Sequence, residues 1–238
     1  MPLTKLKIKI FADGADIEDM KSAYKEGFVR GFTTNPTLMK KAGVTDYEAF
    51  AREALKAITD LPISFEVFSD DFEEMEREAR AIKSWGRNIN VKIPITNTRG
   101  KTSIPLIRKL SVEGIPLNIT AMMTLKQVEE VAAVLNPEVP NIVSVFAGRI
   151  ADSGRDPVPI MTEAAQMLRD NPKAELLWAS PREILNVFHA DQCGSHIITM
   201  THDLLKKLHL IGKDLDEYSL DTVKMFYNDA HSSGFKIH

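Results

Sequence analysis

A chain of 238 residues, 44% hydrophobic and 26% charged, has the balance of a globular protein with a sizeable core and a solvated surface rather than of a disordered one. A formal net charge of −3 gives no basic field to gather nucleic acid or an anionic membrane, so any anionic ligand must be held locally. The lone Cys193 excludes an internal disulfide and any CxxC zinc or redox site. No stretch approaches the roughly 20 apolar residues that span a bilayer. Met1-Pro2-Leu3-Thr4-Lys5 leads into an alternating Lys/apolar run without a signal-peptide core. These features predict a cytoplasmic protein.

Strand-like and helix-like patterns alternate along the whole chain. A β-branched run at 6–12 is followed by a helical pattern at 17–26, and 29–34 by 46–58; next come 63–68 with 72–85, and 90–95 with 102–113. The second half continues with 116–120 and 124–135, 142–146 and 158–170, 175–179 and 181–190, and 196–200 and 201–208. Asp46, Asp71, Thr124 and Asp191 read as helix caps or first-turn acids, and Pro181 suits a first helical position. A parallel connection needs a crossover helix, and eight such units in succession predict an α/β protein of the (β/α)8 TIM-barrel class as a single domain, with an open doubly wound sheet as the other topology. The barrel is assigned residues 1–225. The tail, 226–238, carries Phe226, Tyr227 and Phe235 and is expected to pack on the barrel or on a neighbouring subunit, or else to fray.

Active sites of such barrels lie at the C-terminal ends of the strands. There the sequence places Asp13, Thr33, Thr34, Asn35, Glu66, Lys92, Asn118, Thr120, Ser144, Arg149, Ser180, Arg182, Thr199 and Thr201. Lys92 stands inside the apolar strand Asn90-Val91-Lys92-Ile93-Pro94-Ile95. Desolvation disfavours an ammonium, so an amine buried there can attack a carbonyl and form an imine. The alternative is a buried ion pair with Glu66 or Asp13, or a side chain that snorkels to the rim. An imine on a ketose draws in the electrons of the bond between its third and fourth carbons, provided a base removes the proton of the C4 hydroxyl. Asp13 is the candidate base, against an ordinary turn residue in Asp13-Gly14-Ala15-Asp16, and Glu66 and Thr120 could hold a relaying water. Arg149, Arg182 and Ser180 follow the sixth and seventh strands, where barrels of this class often hold phosphate, and a forked guanidinium matches phosphate oxygens.

The segments Gly31-Phe32-Thr33-Thr34-Asn35-Pro36-Thr37-Leu38, Val91-Lys92-Ile93-Pro94, Asn118-Ile119-Thr120, Ser144-Val145-Phe146-Ala147-Gly148-Arg149 and Ala179-Ser180-Pro181-Arg182 together resemble the transaldolase family and its smaller relatives, the fructose-6-phosphate aldolases, over most of the chain. The resemblance implies a class I aldolase needing no cofactor and no metal, with Lys92 as imine lysine, Asp13 as acid/base, and Glu66 and Thr120 positioning a catalytic water. It implies substrate contacts from Thr33, Asn35, Asn118, Ser144 and Phe146, and phosphate contacts from Arg149, Ser180 and Arg182. The aldolase branch tends to carry Gln at the Glu66 position and Tyr at the Phe146 position, so both residues here look like transaldolase. Pro181 replaces the usual Phe, and Met122-Met123 the usual aliphatic residues. By analogy the partners are small sugar phosphates, as in the pentose phosphate pathway, and further copies of the chain in a pentamer or decamer.

Two rival readings stand beside this one. A metal-dependent aldolase would need ligands, yet His189, His196, His202 and His209 lack the HxH or HExxH spacing of familiar sites. A silent barrel that binds sugar phosphate would have no need of a buried amine. The charged stretch with Glu73, Glu74, Glu76, Arg77 and Glu78 reads as a solvated helix face.

Overall fold

Eight parallel strands close into a barrel in the computed structural model, which describes residues 6–237. They are β1 (Lys9–Asp13), β2 (Val29–Thr33), β3 (Ile63–Glu66), β4 (Ile89–Pro94), β5 (Leu117–Met122), β6 (Asn141–Val145), β7 (Ala174–Trp178) and β8 (Ile197–Thr201), paired in sequence order with β8 returning to β1. The open doubly wound alternative is thereby excluded. Residues 1–5, read above for a targeting signal, and residue 238 of the tail lie outside the described residues.

The helices after the strands are α1 (Ile17–Glu26), α3 (Tyr47–Ala57), α4 (Phe72–Ser84), α5 (Ile104–Val112), α6 (Leu125–Ala132), α8 (Pro157–Met167), α9 (Leu185–Gln192) and α10 (His202–Leu205), the last two shorter than the sequence predicts. Two short helices lie inside the loops, α2 (Pro36–Lys41) and α7 (Ala147–Asp152), and the last helix is α11 (Leu215–Ser232). None of these three follows from apolar periodicity. Among the described residues no helix is long and apolar enough to cross a membrane.

Caps set most of the boundaries. Asp46 and Asp71 accept from backbone N–H groups of the first turns of α3 and α4, and Thr124 forms a reciprocal capping box with Gln127. Asp191 is a correction. It lies near the end of α9, where its Oδ1 accepts from the backbone of Lys7 and Ile8, so it steers the chain into β1 instead of opening a helix. Pro181 is another, because α9 begins only at Leu185. Ser180 has a left-handed φ of 57°, and the N–H groups of Arg182 and Glu183 both donate to Asn186 Oδ1, which holds 180–183 as a turn. The expected helix 201–208 is also interrupted, since α10 stops at Leu205 and a 3-10 turn follows at Leu208–Leu210.

Strand side chains alternate between the layer under the helices and the barrel interior. Outward residues such as Phe32, Phe65, Val91, Ile93, Val143, Val145, Trp178 and Ile198 join the main core with the inner faces of the helices. The interior has a separate apolar floor of Phe11, Ile142, Leu177, Ala179 and Ile197. Phe11 needs room. A Cβ at Gly31 would sit 2.4 Å from its Cζ, so only glycine fits beside that ring in β2. Above this floor the inward positions turn polar, because the same alternation that buries Phe11, Ile142 and Ile197 brings Asp13, Ser144 and Thr199 in one step higher.

α11 differs from the other helices in burying no residue, and Leu215, Tyr218, Val223, Phe226 and Tyr227 are exposed. The charged face of α4 is solvated as read, with Arg80 paired to Glu76 and Glu113. Glu78 departs from that reading, since its carboxylate accepts from the N–H groups of Phe68 and Ser69 and latches the loop after β3.

Candidate active site

A cavity of about 470 Å³ opens at the C-terminal mouth of the barrel, large enough for a small phosphorylated sugar. Every residue assigned a role in the sequence lines it: Asp13, Thr33, Asn35, Glu66, Lys92, Asn118, Thr120, Ser144, Phe146, Arg149, Ser180 and Arg182. Thr199 joins them, while Thr34 and Thr201 do not face it. Thr34 is turned away, its hydroxyl donating to Ser64 O.

Lys92 is buried in β4, and its Nζ lies 3.0 Å from Glu66 Oε2 and donates to Thr34 O at 3.0 Å. Of the two readings open for this lysine, the ion pair is therefore present at rest. Parallel register sets Glu66 directly beside Lys92, and Tyr47 Oη donates to Glu66 O at 3.0 Å, tying the end of β3 to α3. Burial pushes the Tyr47 phenol far above its ordinary range, so it stays a donor at every working pH.

Asp13 faces this pair from β1. Its Oδ1 accepts from Thr33 Oγ1 at 2.8 Å and its Oδ2 from Asn35 Nδ2 at 3.3 Å. Thr33 and Asn35, read as substrate contacts, thus hold the carboxylate in the resting protein. Asn35 does two jobs: its Oδ1 also caps α2 by accepting from Leu38 N–H. Desolvation pushes the Asp13 carboxyl above the usual carboxylate range, against the opposing pull of Lys92 and the two hydrogen bonds.

A second polar chain crosses the interior. Ser144 Oγ donates to Asn118 Oδ1 at 2.6 Å, and Asn118 Nδ2 donates to Ser64 Oγ at 3.0 Å, which fixes the amide orientation. Ser64 was not singled out in the sequence, although it is the inward residue one step below Glu66 and alternation could have found it. Thr120 Oγ1 is buried with no partner among the described residues, and unpaired hydroxyls of this kind mark a position for water or ligand. The next residue, Ala121, has φ 63° at an irregularity in the β5–β6 register, so β5 kinks where Thr120 enters the cavity.

Basic groups line the opposite wall. Arg149 projects from α7 with its guanidinium carbon 5.9 Å from the Phe146 ring centre. Ser180 and Arg182 come from the turn after β7. The two segments touch closely, Gly148 N–H donating to Ala179 O at 3.2 Å. Of the four histidines weighed as ligands, His202 packs against Gly14 next to Asp13 and the other three lie elsewhere. His196 Nδ1 accepts from Leu176 N–H, His209 Nδ1 meets Lys206 O, and His189 is beside Trp178. Among the described residues no three His, Cys, Asp or Glu converge as a metal-binding group.

The family model described as Transaldolase/Fructose-6-phosphate aldolase matches residues 10–237. Probable transaldolases resemble the chain over most of its length. That of Dehalococcoides mccartyi is 32% identical over 84% of this chain and 90% of its own. That of Methanococcus maripaludis strain C7 is 35% identical over 84% and 89%. That of Thermoanaerobacter sp. strain X514 is 32% identical over 97% and 100%. Among solved structures, a dihydrodipicolinate synthase from Rhodopseudomonas palustris superposes with a TM-score of 0.59 at 16% identity, covering 95% of this chain and 82% of that one. Likeness at that level shows the barrel fold alone.

Proposed function

We propose, because the chain belongs to the transaldolase/fructose-6-phosphate aldolase family, that it is a transaldolase-like transferase moving a dihydroxyacetone unit from a ketose phosphate to an aldose phosphate through an imine on Lys92. Fructose 6-phosphate and sedoheptulose 7-phosphate both fit as donors. The observation that carries the reading is the cavity itself, with a buried lysine paired to Glu66, a desolvated Asp13 facing them, and two arginines on the far wall.

Glu66 takes a proton from Lys92, and the free amine attacks the ketone carbon; water leaves as the imine forms. The Thr120 hydroxyl, unpartnered among the described residues, and Glu66 suit a water that relays these protons. Asp13 accepts the C4 hydroxyl proton, the C3–C4 bond breaks with its electron pair drawn to the imine nitrogen, and the shortened aldose departs, leaving an enamine on Lys92. The enamine carbon then adds to the acceptor carbonyl, Asp13 returns its proton, and water hydrolyses the new imine. The nitrogen is the electron sink, so the sequence of steps calls for no metal. Asn118 and Ser144 would hold hydroxyls of the three-carbon unit, and Arg149, Ser180 and Arg182 the phosphate.

Phe146 favours transfer over release. It offers no hydroxyl to protonate the enamine or order a water beside it, whereas the aldolase-type alternative needs such a proton. The same proposal covers location and assembly: a cytoplasmic homo-oligomer, pentamer or decamer, in which the apolar residues of α11 rest on a neighbour. Light scattering of the full chain and of a chain ending before Leu215 tests the assembly. For the chemistry, the protein is treated with fructose 6-phosphate and borohydride and mapped by mass, with Lys92→Met as control. A dihydroxyacetone-sized adduct on Lys92 alone supports the reading; no adduct with either donor points to the silent barrel.

A further inference from the structure

The phosphate-side wall is braced from behind. Arg182 donates from Nε to Asp152 Oδ1 at 3.0 Å and from Nη2 to Oδ2. Asp152 closes α7 three residues after Arg149, so the two side chains share one face of that helix. Arg149 and Arg182 line the cavity and Asp152 does not. The carboxylate therefore grips the Nε/Nη2 edge of the guanidinium from outside. The Nη1 hydrogens, which meet no acceptor among the described residues, remain for a group within the cavity.

We propose that Asp152 is a positioning residue for phosphate recognition, clamping Arg182 side-on so that its free end is presented to the cavity next to Arg149 and Ser180. The inference rests on the phosphate end proposed above. An arginine 48% exposed and held by nothing would sample many rotamers, and ordering it at each binding event weakens affinity. A guanidinium already seated loses less. A carboxylate competing with phosphate would instead have to face the cavity, and this one stands behind the arginine. Arg182 first and Arg149 second hold the Asp152 carboxyl below the usual carboxylate range, so the clamp persists through mildly acidic pH.

The test compares Asp152→Asn, Asp152→Glu and Arg182→Ala with the unaltered protein. Steady-state rates are measured with fructose 6-phosphate and with unphosphorylated fructose as donors, and inorganic phosphate serves as inhibitor. Asp152→Asn is expected to raise KM for fructose 6-phosphate about fivefold, the upper range for a half-exposed ion pair. It should weaken phosphate inhibition by a similar factor and leave kcat within about twofold, and Asp152→Glu should recover part of the loss. Unchanged or tighter phosphate binding, or equal losses with both donors, overturns the inference. Should Arg182→Ala weaken fructose 6-phosphate while Asp152→Asn does not, only the role of Asp152 falls. If Arg182→Ala leaves that KM untouched, the phosphate end itself is wrong.

Discussion

Replacing Gly148 by alanine tests how tightly the wall proposed to hold phosphate is built. A Cβ at Gly148 would stand 1.6 Å from the carbonyl oxygen of Ser180 and 2.6 Å from its carbonyl carbon. Real Cβ contacts keep at least 3.0 Å, so one segment must retreat by about 1.4 Å. The obstacle is backbone, which cannot swing aside as a flexible side-chain tip would. Overpacking of this kind costs about 1–3 kcal/mol, and a chain of this size loses about 3 °C of melting temperature per kcal/mol. The displaced atoms belong to Ser180, whose left-handed φ leaves the turn little slack. Arg182 moves with them. A misplacement of about 1 Å at a reacting site can cost about 100-fold, so kcat/KM for fructose 6-phosphate should fall by one to two orders of magnitude while fructose itself suffers less. Thermal melts and steady-state kinetics on the two donors decide it. A Gly148→Ala protein that melts within about a degree of the parent and keeps its KM for the phosphorylated donor would refute the close contact between α7 and the end of β7.

Three further outcomes follow from the same geometry. The Asp13 carboxyl is raised by burial, so the stability of its neutral form is present at low pH and is lost as pH rises through the folded-state value. Asp13→Asn should therefore melt higher than the parent at neutral pH, with the gain shrinking as pH falls toward the ordinary 3.8, and the parent's kcat/KM should decline on the acid side at a higher pH than an ordinary carboxylate would give. Thr120→Val removes a buried hydroxyl that has no partner among the described residues and should stabilise the fold by up to about 1 kcal/mol; imine formation, followed by borohydride trapping, should slow by at least about tenfold. Breaking the Lys92–Glu66 pair leaves one charge buried alone, so Lys92→Met should cost about 3–5 kcal/mol and the double change with Glu66→Gln should recover most of it. Additive losses in urea titrations would show that the pair is uncoupled.

Much of this was legible in the sequence because a barrel strand has both faces buried. Runs such as Val91 to Ile95 and Ile142 to Phe146 stand out from the amphipathic helices between them. The period of two then makes polar residues at strand ends point inward, which is why Asp13, Lys92, Thr120 and Ser144 could be named together. What escaped are features set by contacts between distant segments. α2 and α7 have six residues each, too short for a helical period, and Asn35 looks like a loop asparagine until its two hydrogen bonds are seen. Asp191 has the chemistry of a helix cap but spends it on Lys7 and Ile8, nearly the whole chain away. Asp152 carried no local signal, since its partner lies thirty residues on. Lys92 lies buried in β4 as its apolar strand indicates, with its pairing left open by the sequence; only the register of β3 against β4 chose Glu66 over Asp13.

The apolar floor under the cavity governs traffic as well as packing. Phe11, pressed over Gly31, closes the barrel interior from below together with Ile142, Leu177 and Ile197, so among the described residues the cavity is reached from the C-terminal mouth. Under the proposed reaction the aldose cut from the donor must back out past Arg149 and Arg182 before an acceptor can come in, and the two can never queue from opposite sides. In that reading turnover alternates, one departure for each arrival, and the enamine would wait facing the mouth by which solvent also enters.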